Sequence, residues 1–309
     1  MADLSVELAP KHPSGLRLRN PVMTASGTFG YGTEYASLID IQRLGAIVSK
    51  GITELPRKGN VQPRVAETPA GMLNSIGLQN VGIHAVVKEK APMWAQWQVP
   101  VVVNISGESL DEFQRMAAAL EGVDGVAGVE VNISCPNVER GGMEFGADPE
   151  AAAQVTQVVK RATSLPVIVK LTPNVTDIRV VAQAVEAAGA DALTVMNTVV
   201  GMAIDVRRKR PVIGRGFAGL SGPAIKPVAV YNTWRVASVV SIPVIGCGGI
   251  AGPNDAIEFL LAGATAVQVG SMTFADPTTS LRVLDGIERY LEQQQVSAVR
   301  ELVGLARPA

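Results

Sequence analysis

The chain has 309 residues, 27 of them basic and 28 acidic, for a formal net charge of −1. This balance excludes a protein that relies on a basic face to grip nucleic acid, and 47% hydrophobic against 18% charged residues excludes a disordered chain. The two cysteines, Cys135 and Cys247, exclude a disulfide-stapled scaffold and are too few to hold an iron–sulfur cluster or a structural zinc unaided.

Residues 1–10 hold no basic stretch leading into an apolar run, and no apolar run reaches the roughly 18 residues that a membrane span needs. The expectation is a single-domain cytoplasmic protein with no membrane segment. Short runs rich in Val and Ile follow at 21–25, 46–49, 100–104, 128–132, 166–170, 192–197, 243–246 and 266–270. They lack polar–apolar alternation, the pattern of strands buried on both faces of a parallel sheet. Helical patterns lie between them at 110–120, 149–162, 177–188, 223–240 and 278–292. Ser109 and Asp148 are good N-caps, Asp255 and Glu258 read as a first turn after Asn254, and Gly189 and Gly263 read as C-terminal caps. About eight strands alternating with helices predict an α/β fold of the (β/α)8 TIM-barrel type, with a doubly wound open sheet as the alternative. The connections 51–80, 136–147 and 198–222 are too long for turns. They predict long loops over the C-terminal face, where barrel active sites lie.

Polar residues collect where the apolar runs end: Ser26, Lys50, Asn104, Asn132 with Cys135, Lys170, and Asn197 with Thr198. A lysine at the end of a buried strand is costly unless it meets an anion or a polar ligand. Strands seven and eight end instead in Gly248-Gly249 and Gly270-Ser271. Glycine backbone ahead of a helix suits an anion, and these two loops are the usual phosphate site of a barrel, so a phosphate-bearing ligand is expected. The match to G-x-G-x-x-G at 214–219 follows the basic run 207–210 rather than a strand, and no acidic residue stands about 20 positions on. It reads as a flexible loop beside a solvated basic face. Cys135, on a Gly-rich polar loop after the fourth strand, is the candidate proton-transfer group. Cys247 reads as a core residue. His12 and His84 have no metal-ligand spacing, so no metal is expected.

These residues stand in a recognisable order. The segments are Ala25-Ser26-Gly27, Ser49-Lys50-Gly51, 64–69 (Arg-Val-Ala-Glu-Thr-Pro), 74–80 (Asn-Ser-Ile-Gly-Leu-Gln-Asn), 132–137 (Asn-Ile-Ser-Cys-Pro-Asn), Lys170-Leu171, Asn197-Thr198, 220–227 (Leu-Ser-Gly-Pro-Ala-Ile-Lys-Pro) and Gly248-Gly249-Ile250. Essentially end to end, the chain resembles the dihydroorotate dehydrogenases, flavin-binding (β/α)8 barrels that oxidise dihydroorotate to orotate in pyrimidine biosynthesis. The resemblance implies that Cys135 removes the C5 proton while hydride leaves C6 for the flavin. It places FMN on Ser26, Lys50, Gly51, Asn104, Asn132, Lys170, Met196, Gly222, Gly248, Gly249, Gly270 and Ser271. It places orotate on Lys50, Asn74, Ser75, Ile76, Gly77, Leu78, Asn132, Asn197 and Thr198. Met196 departs from the Ile that relatives often carry.

A cysteine base resembles the soluble class 1 enzymes, and the 219–223 segment resembles the NAD-linked subclass 1B more than the fumarate-using subclass 1A. Subclass 1B implies a catalytic homodimer flanked by two partner subunits carrying FAD and [2Fe–2S], a heterotetramer that passes electrons to NAD+. Competing readings are subclass 1A, a barrel like the pyrimidine-reducing domain of dihydropyrimidine dehydrogenase, a non-redox phosphate-binding lyase or isomerase, and a non-catalytic scaffold.

Overall fold

The computed structural model describes residues 2–134, 136–137 and 143–307. Cys135, on which the proton-transfer expectation falls, lies outside the described residues. Eight short strands form one parallel sheet: β1 (Val22–Thr24), β2 (Ile47–Val48), β3 (Val101–Ile105), β4 (Gly128–Asn132), β5 (Val167–Lys170), β6 (Ala192–Val195), β7 (Val244–Cys247) and β8 (Ala266–Val269). Each pairs with its chain neighbour, and β8 returns to pair with β1. The last seam, β1 to β2, is held by Gly45 N–H on Val22 O (2.8 Å) and Thr24 N–H on Ala46 O (3.2 Å). The sheet is therefore a closed (β/α)8 barrel rather than the open doubly wound alternative. Every expected run overlaps one of these strands, with Val101–Ile105 and Val244–Cys247 each extending one residue past its run. Nearly all their residues are buried, because the barrel interior covers one face and the helix layer the other.

The helices Leu110–Leu120 and Pro149–Ala162 match the sequence reading to the residue. Their caps explain this: Ser109 Oγ accepts from Glu112 N–H, and the Asp148 carboxylate accepts from Glu150 N–H. The helices Ile178–Ala187 and Thr279–Gln294 lie close to their expected bounds. The expected helix at 223–240 is instead a 3-10 turn, Pro223–Ile225, followed by Lys226–Ala237. Pro227 explains the break, since it has no N–H to continue the first turns. The helix Pro253–Ala262 opens one residue before Asn254, and Gly252 is its N-cap. Asp255 caps the free backbone there by accepting from Ala251 and Gly252 N–H. Residues 83–94 form a further helical stretch that the sequence pattern did not reveal. After β1 the turn-rich segment 25–40 and the 3-10 turn Ile41–Arg43 stand where a barrel helix is expected.

The larger correction concerns the long connections. Two of the three are not irregular. Val65–Thr68, Gly71–Asn74, Ala218–Ser221 and Val199–Gly201 form a four-stranded antiparallel sheet above the barrel's C-terminal end. Its central register sets Leu220 opposite Leu73 and Gly219 opposite Asn74. Leu73, Ile213 and Ala218 form a small core of their own beneath it. The last two residues of the G-x-G-x-x-G match, Ala218 and Gly219, thus lie in a paired strand, not a flexible loop. The basic run 207–210 is exposed at the end of the hairpin Ile204–Asp205/Arg210–Pro211, as expected of a solvated face. The third connection holds a short ladder, Pro136–Asn137 with Met143–Glu144, and ends in the 3-10 turn Phe145–Ala147. At the other end of the barrel, Leu16 from the N-terminal hairpin packs near Gly128 at the start of β4.

Candidate active site

The antiparallel sheet and the strand ends enclose a cavity of about 790 Å3. Its walls include all the described residues assigned above to the two ligands. From the strand ends come Ser26, Lys50, Gly51, Asn104, Asn132, Lys170, Met196, Asn197 and Thr198. From the long connections come Asn74, Ser75, Ile76, Gly77, Leu78 and Gly222, and from the last two strands Gly248, Gly249, Gly270 and Ser271. Cys135 alone of the expected set is not described. A second cleft of similar volume, about 790 Å3, lies outside the barrel between Tyr231, Trp234 and Leu261. It is mainly apolar and lacks the converging amides, so it is the weaker candidate for chemistry.

The asparagines are held by one another. Asn197 Nδ2 donates to Asn132 Oδ1 (3.2 Å) and Ser134 Oγ (2.9 Å), and Asn132 Nδ2 donates to Ser106 Oγ (3.1 Å). Thr198 N–H closes on Asn197 Oδ1 at 2.8 Å. These bonds fix which edge of each amide is spent on the protein and which remains for a ligand. Asn74 is brought in by the antiparallel sheet, its Nδ2 at 3.4 Å from Gly219 O. The next residues are clamped from both sides. Asn60 Nδ2 reaches Ser75 O (3.0 Å), and Asn80 Nδ2 reaches Leu78 O (2.6 Å), holding Leu78 at φ +51. A non-glycine residue in this region is held there by its surroundings.

The two lysines sit in different electrostatic settings. Lys50, at the end of β2, is half-buried, and among the described residues no carboxylate pairs with it. Burial first, and then the Arg64 guanidinium, push its ammonium below the usual lysine range, with Glu34 offsetting part of this. Lys170, at the end of β5, is buried, with Nζ 3.5 Å from Gln268 Oε1 and 4.0 Å from Glu130 Oε1. Burial pushes Lys170 down, but its acidic neighbours Cys247 and Glu130 outweigh burial and hold it above the usual range. Cys247 exerts that effect only as a thiolate, and burial pushes its thiol up, so below the thiol's range the neighbour left to oppose burial is Glu130, 4.0 Å from Nζ. Cys247 is buried as expected, but it also faces this cavity.

Glu130 was not among the expected site residues. It sits mid-strand in β4, fully buried, and accepts from Asn104 Nδ2 (2.8 Å), Thr194 Oγ1 (2.7 Å) and Gln268 Nε2 (2.7 Å). With its nitrogen so engaged, Asn104 keeps a buried Oδ1 that has no partner among the described residues. The sequence carries a faint signal: Glu130 and Gln268 interrupt otherwise apolar strands. Arg57, Asn60, Arg64, Glu108, Glu144 and Asn174 also line the cavity and were given no role. Arg57 pairs with Glu108 at 2.7 Å, and Arg64 donates to Gln79 Oε1 at 2.6 Å. Burial pushes the Glu144 carboxyl up, with a Thr172 hydrogen bond opposing.

Met196 is fully buried, and its Sδ accepts from Asn232 Nδ2 at 3.4 Å, on the helix outside the barrel. Its side chain is therefore committed to the helix layer, leaving backbone for the cavity. At Gly249, φ is +79 and a Cβ would lie 2.7 Å from Lys226 N, so a side chain is excluded on both counts.

A polar cavity at the C-terminal ends of eight parallel strands defines the chain as a (β/α)8-barrel enzyme. A family model described as dihydroorotate dehydrogenase matches residues 10–291. The chain belongs to that family. It is 53% identical over 302 residues to the "Dihydroorotate dehydrogenase B (NAD(+)), catalytic subunit" of Geobacter sp. (strain M21), covering 98% of this chain and 97% of that one. Proteins of the same name from Desulforamulus reducens and Porphyromonas gingivalis are 55% and 52% identical, over 94% of this chain and 96% and 94% of theirs. Among the described residues, no helix is long and apolar enough to cross a membrane.

Proposed function

We propose that this chain oxidises (S)-dihydroorotate to orotate, with FMN as hydride acceptor, as the cytoplasmic catalytic subunit of an NAD+-linked assembly. The observation that carries the reading is one cavity lined by converging amides and by two lysines in different settings, and we read it as two zones. One holds Lys50 and the amides of Asn74, Asn132 and Asn197. The other holds Lys170 and Asn104, whose buried Oδ1 has no partner among the described residues.

The first zone fits a pyrimidine carboxylate. Lys50 binds the carboxylate, which supplies the anion that the half-buried ammonium lacks. The amides and Thr198 match the ring's alternating C=O and N–H groups, and the segment 75–78 closes over it. Cys135 takes the C5 proton on Sγ; its assignment rests on sequence and family. The second zone fits the pyrimidine edge of a flavin. Asn104 Oδ1 accepts from an N–H, and Lys170 places a cation where negative charge accumulates on reduction. Gly248, Gly249, Gly270 and Ser271 offer close backbone approach to the phosphate. FMN, when bound, supplies the two-electron acceptor.

The relatives' shared name, catalytic subunit, supports a second kind of subunit. We assign FAD and [2Fe–2S] to it, since two cysteines cannot ligate that cluster. The assembly is read as a homodimer core flanked by two such subunits. The test is an anaerobic visible spectrum of the purified chain, before and after adding dihydroorotate. A yellow protein that bleaches is expected. A flavin-loaded protein that bleaches with dihydrouracil and not dihydroorotate moves the reading to another pyrimidine. A colourless chain that refuses FMN overturns it.

A further inference from the structure

The buried carboxylate of Glu130 has no part in the chemistry described so far, and it is the centre of the hydrogen bonding inside the barrel. It draws on four other strands. Asn104 reaches it from β3, Thr194 from β6 and Gln268 from β8, while Lys170 of β5 stands 4.0 Å away. A carboxylate inside a barrel is expensive unless its neighbours donate to it, and here three do.

We propose that Glu130 is a positioning residue that sets the polarity of the cavity floor: it keeps Lys170 cationic before any electrons arrive and turns the Asn104 amide so that oxygen faces the ligand. The inference rests on the flavin reading above. Two features of the geometry support it. Asn104 can satisfy Glu130 only through Nδ2, which leaves Oδ1 as the one atom of that amide free to accept. Gln268 is fixed in the same way. Its Nε2 donates to Glu130, so its Oε1 is the atom turned to Lys170 Nζ. One carboxylate thus orients two amides and supplies the counter-charge for one ammonium.

The consequence is a count of protons. Two electrons and one proton convert oxidised flavin to its anionic reduced form. If Lys170 already carries its charge, nothing further is taken up. In Glu130→Gln, Lys170 is buried without a counter-ion and loses its proton while the flavin is oxidised. Reduction then brings in one proton for the flavin and one for Lys170. The other groups facing Lys170 do not supply this effect. Cys247 is a thiol from β7 that burial pushes up and that bears on Lys170 only once ionised, Thr194 and Gln268 do not titrate, and Lys50, on the same cavity, is a like charge.

The experiment is the midpoint potential of bound FMN against pH, in the wild-type holoprotein and in Glu130→Gln. The wild type is expected to take up one proton per electron pair and the variant two, which doubles the slope. An unchanged slope in a flavin-loaded variant overturns the proposal while leaving the proposed function intact. A wild type that cannot bind FMN overturns both. The second measurement does not require Glu130→Gln to fold alone or to bind flavin. Lys170→Met strands a buried carboxylate and is expected to lower the melting temperature of the full chain by roughly 5 °C or more. Adding Glu130→Gln to Lys170→Met removes the stranded charge and should restore most of that loss. A double variant no more stable than Lys170→Met shows the two charges to be uncoupled, and the proposal falls.

Discussion

Replacing Lys50 with Met removes a charge while keeping most of the side chain's length. The structure sets the size of the effect. The ammonium is half-buried, sits near the Arg64 guanidinium and has no described carboxylate partner, so a substrate carboxylate is the counter-ion it can gain. A charge-assisted hydrogen bond of this kind contributes ~1.5–3 kcal/mol, or about 10- to 150-fold in kcat/KM. Lys50 is also assigned to FMN in the proposed function, so a simple loss of activity would be ambiguous. The assay therefore compares dihydroorotate with its methyl ester in each enzyme, using an artificial electron acceptor. Wild type should prefer the carboxylate by about that factor, and Lys50→Met should show almost no preference. The pH dependence has a definite sign. The free enzyme's Lys50 is held below the usual lysine range, and a bound carboxylate pulls it back up. Affinity should therefore fall as pH rises through the free-enzyme value, earlier than for an ordinary lysine. A Lys50→Met enzyme that still discriminates acid from ester as wild type does would refute the assignment.

Three further expectations follow from separate parts of the structure. A Cβ on Gly71 would lie 2.0 Å from Ser221 O, so Gly71→Ala should prise apart the sheet that carries Asn74. It should cost ~1–3 kcal/mol in chemical unfolding and lower kcat/KM for dihydroorotate; unchanged values for both would show that the sheet yields freely. Asp177 is held down to about 2 from 3.8 by hydrogen bonds from the Arg179 side chain and backbone, and by Arg235. Its contribution is complete above the unfolded value and is lost as pH falls through about 2. The stability gap between wild type and Asp177→Asn should therefore narrow in acid, and a gap constant with pH would contradict this. Cys135→Ser should retain FMN yet slow its reduction by dihydroorotate roughly 10²- to 10⁴-fold, with partial recovery at high pH; wild-type rates in stopped flow would remove it as the base.

The barrel was legible because each of its strands carries a local signal. Runs such as 100–104 and 166–170 are apolar on both faces, and Ser109 and Asp148 mark where the chain turns helical. The antiparallel sheet carries no such signal. Gly219 pairs with Asn74, 145 residues away, and its strands are four residues or fewer and rich in small side chains. Nothing within a short window distinguishes them from loop. The helical stretch at 83–94 was hidden for another reason: Pro92 and the charged run Lys88-Glu89-Lys90 blur its apolar face.

The site divides along the same line. Strand-end residues can be read because barrel topology gathers all eight C-terminal ends onto one rim, whatever the loops do. What the rim argument cannot do is tell one lysine from another. Lys50 and Lys170 occupy equivalent positions, and the same reasoning asked of each an anion or a polar ligand. For Lys170 that reasoning was incomplete, because its counter-ion is already inside the barrel. Glu130 lies 40 residues earlier, in the middle of a strand that reads as apolar. The two charges meet only because β4 and β5 pair in a register that sets Lys170 opposite Asn132 and Ile168 opposite Glu130. One lysine is therefore neutralised by the fold and can hold its charge before any ligand arrives. The other has no carboxylate partner among the described residues, its charge opposed by burial and by Arg64 and only partly supported by Glu34, so it gains most when an anion enters. A site built this way sets a lysine paired inside the barrel apart from one with no carboxylate partner among the described residues. That asymmetry exists only in the three-dimensional pairing of side chains.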